Sequence, residues 1–310
     1  MTLPARVTIV EVGPRDGLQN VPAAPGTDDK VAFIDRLSDA GLPAIEVGAF
    51  VDPGRVPAMA DSGDVVRAIR QRTGTRYTAL VPNLRGLARA VDAGLREVSV
   101  FGAASESFSR RNINQSIAES FANFRGVVEE AAASGVRVRA YLSTAFGCPY
   151  EGDVPAARVA ELTDALLQLG VFEVAVSDTI GVAHPGQVWR VLDAVAARVP
   201  LAQIALHFHD TRGTALANVL AALQAGVSTF DASCGGIGGC PYAPGASGNL
   251  ATEDLVYMLD GLGIDTGVSL AGLVDASTFI AAHVPGELPS RYLRAAQAAA
   301  ARERSARRDA

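Results

Sequence analysis

Several residue types are scarce in this sequence. Its 310 residues include three methionines, four histidines, one tryptophan and three cysteines. The cysteines, Cys148, Cys234 and Cys240, form neither a disulfide framework nor a CxxC pair, so any important cysteine is a free thiol. The first residues carry no apolar signal core, and no stretch approaches the ~20 apolar residues of a membrane span. We therefore expect a cytoplasmic protein that has no membrane partner.

The chain also lacks an excess of positive charge. Its net charge of −6 and its isoelectric point near 5.3 argue against general binding to nucleic acid or to an anionic membrane. Hydrophobic residues make up 49% of the sequence, which is enough to bury a large core. The length allows one α/β barrel or two smaller domains.

Strand-like apolar runs alternate with helix-like runs along the chain. Eight strand–helix units in roughly 260 residues predict a (β/α)8 TIM barrel, a fold of about that length. A doubly wound sheet would also alternate in this way, but its usual glycine-rich phosphate loop is not the pattern of GPRDG at 13–17. We expect a barrel domain over residues 1–270 and a helical extension over 271–310. The predicted strands are 7–12, 44–47, 77–81, 97–101, 136–142, 172–176, 203–209 and 228–232, and the predicted helices are 28–40, 58–72, 84–93, 117–133, 155–169, 185–198, 215–225 and 252–262.

Two of the four histidines lie close together near the end of the seventh predicted strand. Side chains alternate between the faces of a strand, so His207 and His209 share one face, about 7 Å apart along the backbone. Neutral imidazoles on one face can form half of a metal site, which carboxylate or carbonyl oxygens would complete. The same pattern also fits a pair of hydrogen-bonded histidines near the barrel mouth.

Arg15 and Asp16 follow the first predicted strand. Alone, they fit an ordinary turn with a solvated arginine. In a barrel, however, the C-terminal ends of the strands meet at the active site. Next to the two histidines, Asp16 becomes a carboxylate that could reach the same ion, and Arg15 becomes a fixed cation suited to an oxyanion.

Three further carboxylates interrupt apolar strands or end them. Glu46 and Glu11 would be buried and would need partners, so we expect them to support arginine or metal ligands rather than to react. Asp178 ends the sixth strand, where it is either a helix-capping turn residue or a carboxylate that lines the barrel mouth.

The loop after the eighth strand, residues 234–249, contains six glycines among its sixteen residues. Long loops without secondary structure are uncommon in compact domains and often form lids. In a lid, Cys240 would hold a thiol over the site, and Asn249 at the end of the loop could give a carbonyl oxygen to a metal. We expect Cys148 and Cys234 to be packing thiols.

These stretches together resemble the 3-hydroxy-3-methylglutaryl-CoA lyase family. The similarity runs from about residue 6 to residue 267. It implies a metal-dependent lyase with a TIM-barrel fold, in the superfamily that includes isopropylmalate and homocitrate synthases. The motifs that carry it are VEVGPRDGLQN at 10–20, FGAASE at 101–106, GCPYEG at 147–152, GGCPY at 238–242 and GASGNLATEDLVYML at 245–259.

The resemblance also implies roles for particular residues. It makes Arg15 the cation that stabilises an enolate and Cys240 the catalytic cysteine, and it leaves Asp16, His207 and Cys240 open as the first base. It implies Mg²⁺ or Mn²⁺ as the cofactor. The implied metal ligands are Asp16, His207, His209 and Asn249, and the implied substrate-binding residues are Arg15, Gln19, Glu46, Asn112, Ser116 and Asp178.

The implied reaction is retro-Claisen cleavage of 3-hydroxy-3-methylglutaryl-CoA to acetoacetate and acetyl-CoA, by a homodimer, in leucine degradation. Residues 47–49, VGA, depart from the serine- and threonine-rich stretch that the resemblance leads us to expect, so one hydroxyl beside Glu46 is missing. A smaller apolar wall there would admit a bulkier C3 substituent, and the substrate would then be a related 3-hydroxy-3-acylglutaryl-CoA. Three competing functions stay open: a Claisen-condensing acyltransferase, an aldolase for 4-hydroxy-2-oxo acids and a non-catalytic CoA-binding protein.

Overall fold

Eight parallel strands close into a barrel in their sequence order, which confirms the predicted TIM barrel. This computed structural model describes residues 3–239 and 248–308. Each strand pairs with its neighbours in the chain, and β1 also pairs with β8. The strands are β1 (Thr8–Glu11), β2 (Ala44–Ala49), β3 (Arg76–Leu80), β4 (Glu97–Ala103), β5 (Arg137–Ser143), β6 (Glu173–Asp178), β7 (Ile204–Phe208) and β8 (Thr229–Ala232).

Each of the eight predicted helices has a counterpart, and one further short helix follows β4. The sequence does not predict this helix, α4, because its residues ESFSRRNI are mostly polar and have no apolar periodicity. It ends at Asn114, whose φ of 56° lies in the left-handed region. The helices are α1 (Thr27–Asp39), α2 (Ser62–Ala68), α3 (Leu84–Asp92), α4 (Glu106–Ile113), α5 (Ile117–Ala133), α6 (Ala156–Gln168), α7 (Pro185–Ala196), α8 (Ala215–Ala225), α9 (Thr252–Gly261), α10 (Leu270–Ala281) and α11 (Arg291–Arg308).

The main apolar core lies between the strands and the surrounding helices, but the barrel interior is partly charged. Arg139 on β5 is 1% exposed and reaches across the interior. Its Nε donates to Glu173 at 2.7 Å, and its Nη2 donates to Asp231 at 2.7 Å. A buried charge is tolerated only when it is paired and hydrogen-bonded in this way. The network therefore fixes the strands β5, β6 and β8 relative to one another beneath the site.

The two C-terminal helices pack on the barrel. Helix α10 contacts α1 and α9, and α11 contacts α9. Asp254 on α9 holds the start of α11, because its Oδ1 accepts from the Ser290 hydroxyl at 2.9 Å and from the Tyr292 amide at 2.8 Å. Arg291 also donates to Asp210, which follows β7, at 2.8 Å. Among the helices in the described ranges, none combines the length and the apolarity that crossing a membrane requires.

Candidate active site

A single helical turn after β1, Gly13–Gly17, presents Arg15 and Asp16 to the barrel mouth. The carbonyl of Val12 accepts from the amides of residues 15, 16 and 17, so the turn is tightly wound. Arg15 is 3% exposed. Its Nη1 donates to Asp16 Oδ1 at 2.6 Å, and its Nε donates to Glu46 on β2. Burial alone would lower the pKa of Arg15, but the charges of Glu46 and Asp16 outweigh it and raise that pKa. Arg15 is thus a permanent cation.

His207 and His209 point to the same face at the end of β7, as the alternation of a strand predicts. Nδ1 of His207 lies 3.2 Å from Oδ2 of Asp231, and Nε2 lies 4.0 Å from Oδ2 of Asp16. Burial lowers the pKa of His207, but the hydrogen bond to Asp231 and the charges of Asp231 and Asp16 together outweigh it and raise that pKa. Burial and the neighbouring charge of His207 lower the pKa of His209 to about 4. His209 is therefore neutral at pH 7 and able to bind a cation.

Asp16, His207 and His209 each offer a ligand atom, and these atoms lie within 4.8 Å of one another. Burial raises the pKa of Asp16, but the Arg15 and histidine charges outweigh it and bring that pKa to about 2. The set thus combines an ionised carboxylate with imidazoles, a donor set that suits a divalent cation.

Asn249 completes this donor set. It pairs with His209 through a backbone bridge, and its Nδ2 donates to Asp16 Oδ2 at 3.0 Å. Its Oδ1 and the Nδ1 of His209 are buried and accept no hydrogen bond within the described part of the chain. Buried polar atoms are rarely left without a partner, and an orphaned acceptor marks a place for a ligand. The residues therefore fit a divalent cation.

Tyr141 on β5 contacts both buried arginines, Arg15 and Arg139. Two guanidinium groups lie over its ring, with the Cζ atoms of Arg15 and Arg139 at 5.1 and 5.0 Å from its centroid. Its hydroxyl donates to Glu46 Oε2 at 3.1 Å. The imidazole of His207 meets the same ring edge-on, with centroids 6.3 Å apart. Sequence reasoning missed Tyr141, Arg139 and Asp231, although each alternates with apolar residues along its strand.

A cleft of about 780 Å³ opens above this cluster. Arg15, Asp16, His207 and His209 line it together with several apolar side chains. Arg55 also lines the cleft and is its one exposed arginine among the described residues. The apolar lining residues are Val51, Val56, Leu80, Pro82, Phe101, Phe108, Ile113 and Phe124.

The remaining predicted site residues divide into two groups. Gln19 and Asn112 line the cleft. Glu46 is fully buried behind Arg15, which is the supporting position that we expected for it. Ser116 is instead the N-cap of α5, where its hydroxyl and the Glu119 side chain form a capping box.

Asp178 is fully buried and is not among the residues that line the cleft. Its carboxylate accepts from the amides of Val182 at 2.9 Å and Ala183 at 3.0 Å, just before α7. Burial raises its pKa to about 6, although the two amides oppose that shift. Of the two interpretations that the sequence allowed, this geometry favours the turn residue. Cys240, the predicted catalytic cysteine, lies outside the described residues.

Residues 47–49, the expected apolar wall, are not part of the described lining of the cleft. Val47, Gly48 and Ala49 are buried. Gly48 instead packs against Ser62 so closely that an added Cβ would lie 2.5 Å from its hydroxyl oxygen. That hydroxyl accepts from the amide of Ala49 at 3.0 Å. A register shift in β2 lies between Glu46 and Ala49, and Gly48 and Ala49 contact Ser62 of α2 instead of the cleft.

The comparisons with known proteins agree with this geometry. The sequence model of the HMGL-like family matches residues 6–280. The chain belongs to the HMGL-like family. Mitochondrial hydroxymethylglutaryl-CoA lyase of Rattus norvegicus, a relative in this family, is 57% identical over 279 residues, which cover 90% of this chain and 86% of that protein. The resemblance noted in the sequence is thereby confirmed.

Solved structures of such lyases have the same fold. Hydroxymethylglutaryl-CoA lyase from Pseudomonas aeruginosa superposes with a TM-score of 0.94 at 51% identity, covering 96% of this chain and 99% of that chain. An HMG-CoA lyase from Acinetobacter baumannii, solved with coenzyme A and 3-methylmalate, has a TM-score of 0.90 at 40% identity and covers 95% of this chain and 97% of that chain.

Proposed function

We propose that this protein is a metal-dependent hydroxymethylglutaryl-CoA lyase, a carbon–carbon lyase that cleaves its substrate to acetoacetate and acetyl-CoA. The observation that carries the proposal is the convergence of Asp16, His207 and His209 beside a buried Arg15 in the lining of one cleft. The lyases at 51% and 57% identity support the same activity.

Asp16, His207, His209 and Asn249 are the residues that would hold the divalent cation, and we propose Mg²⁺ or Mn²⁺ because two of the four ligands are oxygens. When bound, such a cation supplies a Lewis acid that makes an alcohol proton easier to remove. The remaining chemistry falls to the side chains of this chain.

In the proposed reaction, a base removes the proton of the C3 hydroxyl, the C2–C3 bond breaks, and acetoacetate leaves. The electron pair of that bond stays on C2 as a thioester enolate, which then takes a proton and becomes acetyl-CoA. Arg15 stabilises the enolate oxygen, because its charge is fixed and buried where the negative charge develops. We assign the protonation of C2 to Cys240 on the strength of the family motif. Asp16, His207 and Cys240 are the candidates for the base.

The shape of the cleft suits an acyl-CoA. The apolar lining residues, among them Leu80, Phe101 and Phe108, suit a pantetheine chain, and Arg55 offers a charge to the phosphates of CoA. Gln19 and Asn112 offer amide groups along the same path. In a chain with a net charge of −6, a cation placed at the cleft is needed to bind so anionic a ligand.

The test is acetoacetate release from 3-hydroxy-3-methylglutaryl-CoA by the purified protein, with and without a chelator, compared with longer 3-acyl analogues. Release that requires a divalent cation supports the proposal. Condensation of an acyl-CoA with a 2-oxo acid, without cleavage, would instead identify an acyltransferase.

We also propose a homodimer in the cytoplasm, a role in leucine degradation and a domain boundary near residue 270. Light scattering in solution tests the dimer.

A further inference from the structure

A buried serine on β4 forms a hydrogen bond with the carboxylate of Glu46 on β2. Strand β2 carries no hydroxyl between Glu46 and its end, but Ser99 on β4 donates a hydrogen bond to Oε1 of Glu46. Both residues are fully buried. Ser99 pairs with Leu80 of β3 in the sheet, so its side chain reaches across the intervening strand to Glu46. The hydroxyl that bonds Glu46 thus comes from a strand that is not its neighbour in the sheet.

The two oxygens of Glu46 have different partners. Oε1 accepts from Ser99, whereas Oε2 accepts from Nε of Arg15 and from the Tyr141 hydroxyl. A buried carboxylate is stable as an anion only when its oxygens accept hydrogen bonds. A carboxylate that is held at one oxygen also cannot rotate freely at the other. The direction of the Arg15 side chain therefore depends on both ends of the Glu46 carboxylate.

We propose that Ser99 is a positioning residue that sets the rotation of Glu46 and, through Glu46, aims Arg15 at the reacting carbonyl. This inference rests on the proposed lyase function. Ser99 does not line the cleft, so its effect on catalysis passes through Glu46 and Arg15. The structure points to this role because the Ser99 hydroxyl bonds Glu46, which also accepts from Arg15 Nε.

If Ser99 only packed in the core, its removal would have a different effect from the one expected for a positioning residue. If Ser99 only fills space, removal of one oxygen would lower the melting temperature and leave the activity of the folded enzyme unchanged. If it positions Arg15, the loss appears in kcat, because Arg15 is needed where the enolate develops and not where the substrate rests. Misplacement of a catalytic group by a fraction of an ångström is enough to slow the reaction.

The experiment measures kcat, KM and melting temperature for Ser99→Ala, Ser99→Thr and the control Ser120→Ala. Ser120 is also fully buried, but its hydroxyl donates to Ile117 in helix α5. We expect Ser99→Ala to lower kcat by about 10- to 100-fold with KM changed by less than about 3-fold. Ser99→Thr keeps the hydroxyl and should recover most of kcat. Ser120→Ala should turn over like the parent.

A double-mutant cycle with Arg15→Met tests the path of the effect. In the Arg15→Met background, Ser99→Ala should lower the residual kcat by less than about 2-fold, because residues that act as one unit do not add. If Ser99→Ala is unfolded at the assay temperature, Ser99→Cys takes its place, since a thiol fills the same site and donates a weaker hydrogen bond. Its kcat should fall between those of the parent and Arg15→Met.

The outcomes separate this inference from the proposed function. If the parent fails to cleave the substrate, the function is wrong. If the parent cleaves it and the folded Ser99→Ala or Ser99→Cys variant keeps the parent kcat, the function stands and Ser99 has no positioning role. An equal loss in the parent and Arg15→Met backgrounds would also overturn the inference, because Ser99 would then act independently of Arg15.

Discussion

Nδ1 of His207 lies 3.2 Å from Oδ2 of Asp231, its register partner on the neighbouring strand β8. Burial raises the pKa of Asp231, but Arg139 and His207 lower it more, so Asp231 is an anion that accepts from Nδ1–H. This contact fixes the tautomer of His207 and leaves Nε2 as the atom that faces Asp16. Carboxylates that orient a metal-binding histidine in this way are typical of metal sites.

The first prediction concerns the metal ligands. His207→Ala and His209→Ala each remove one imidazole, so their affinity for Mn²⁺, measured by titration calorimetry, should fall by more than about 10-fold. His184→Ala is the control, because His184 is exposed at the start of α7. Chelator treatment of the parent should abolish turnover, and Mg²⁺ or Mn²⁺ should restore it. Normal turnover after chelation would remove the metal from the mechanism.

The second prediction concerns Arg15. Arg15→Met should lower kcat by on the order of 10²–10³ with a much smaller change in KM, because its charge acts on the developing enolate. Arg67→Met is the matched control, since Arg67 is half exposed and paired with Asp92 on the outer surface. The change in kcat relative to KM distinguishes a catalytic role of Arg15 from a role in substrate binding. A loss confined to KM would make Arg15 a binding residue.

The sequence was sufficient to predict the barrel and the meeting of Asp16, His207 and His209 at its mouth. The eight strands follow from apolar runs of strand length, and the shared face of His207 and His209 follows from the two-residue period of a strand. Asp16 became a ligand candidate because the predicted barrel places the ends of its first and seventh strands at the same mouth. The spacing of apolar residues in a short stretch shows where a strand or helix lies and which side chains share a face. The predictions of the barrel and of the shared histidine face depend on this spacing alone.

The contacts that sequence reasoning missed join residues that are far apart in the chain. Arg139 and Asp231 are 92 positions apart, and Ser99 and Glu46 are 53 apart. Their pairing depends on the register of the closed barrel, which no local pattern encodes. The same limit applies to residues 47–49, which were predicted to contact the substrate. The one-residue bulge in β2 changes which way these residues face, and it cannot be read from alternation alone.

The third prediction concerns recognition of CoA. Arg55→Gln should raise KM for the CoA thioester by about 10-fold at low salt, through loss of a charged hydrogen bond to phosphate. The same variant should leave KM for the corresponding pantetheine thioester unchanged, because that substrate lacks the phosphates. Arg294→Gln, an exposed residue of α11, is the control. An equal loss with both thioesters would show that Arg55 does not contact a phosphate.

The fourth prediction concerns the pH dependence of stability. Glu11 is fully buried, and its carboxylate accepts from the amides of Gly13 and Cys234, both at 2.8 Å, and from Thr252. Burial outweighs these hydrogen bonds and raises its pKa from 4.5 to about 8. Between these values the folded protein keeps a proton that the unfolded chain has lost. The free energy of unfolding should therefore decrease as the pH rises through this range.

Glu11→Gln tests this prediction by urea unfolding at a series of pH values. Glutamine keeps the acceptor oxygen but cannot titrate, so the variant should lose less stability than the parent from about pH 5 to pH 8. The difference in slope is at most about 1.4 kcal/mol per pH unit for a single proton. Glu129→Gln, an exposed change on α5, should keep the slope of the parent. Parallel slopes for Glu11→Gln and the parent would mean that Glu11 is ionised in the folded state.

The last prediction concerns the thiol of Cys240. The other two cysteines are poor targets for reagents, because Cys148 and Cys234 are only 3% and 0% exposed and burial raises the pKa of Cys234. An alkylating reagent should therefore inactivate the enzyme by modifying Cys240, and a bound substrate analogue should protect it. Mass spectrometry of the modified peptides identifies the site.

The variant Cys240→Ser then tests the chemistry of that thiol. Serine has nearly the same size, but its hydroxyl has a far higher pKa than a thiol, so it is a poor proton donor to the enolate. We expect kcat to fall by about 10²-fold or more while KM and melting temperature stay close to those of the parent. Cys148→Ser serves as the control for thiol loss elsewhere. Parent-like turnover of Cys240→Ser, or inactivation that tracks Cys148 or Cys234, would contradict the assigned role, because the proton would then have to come from another group.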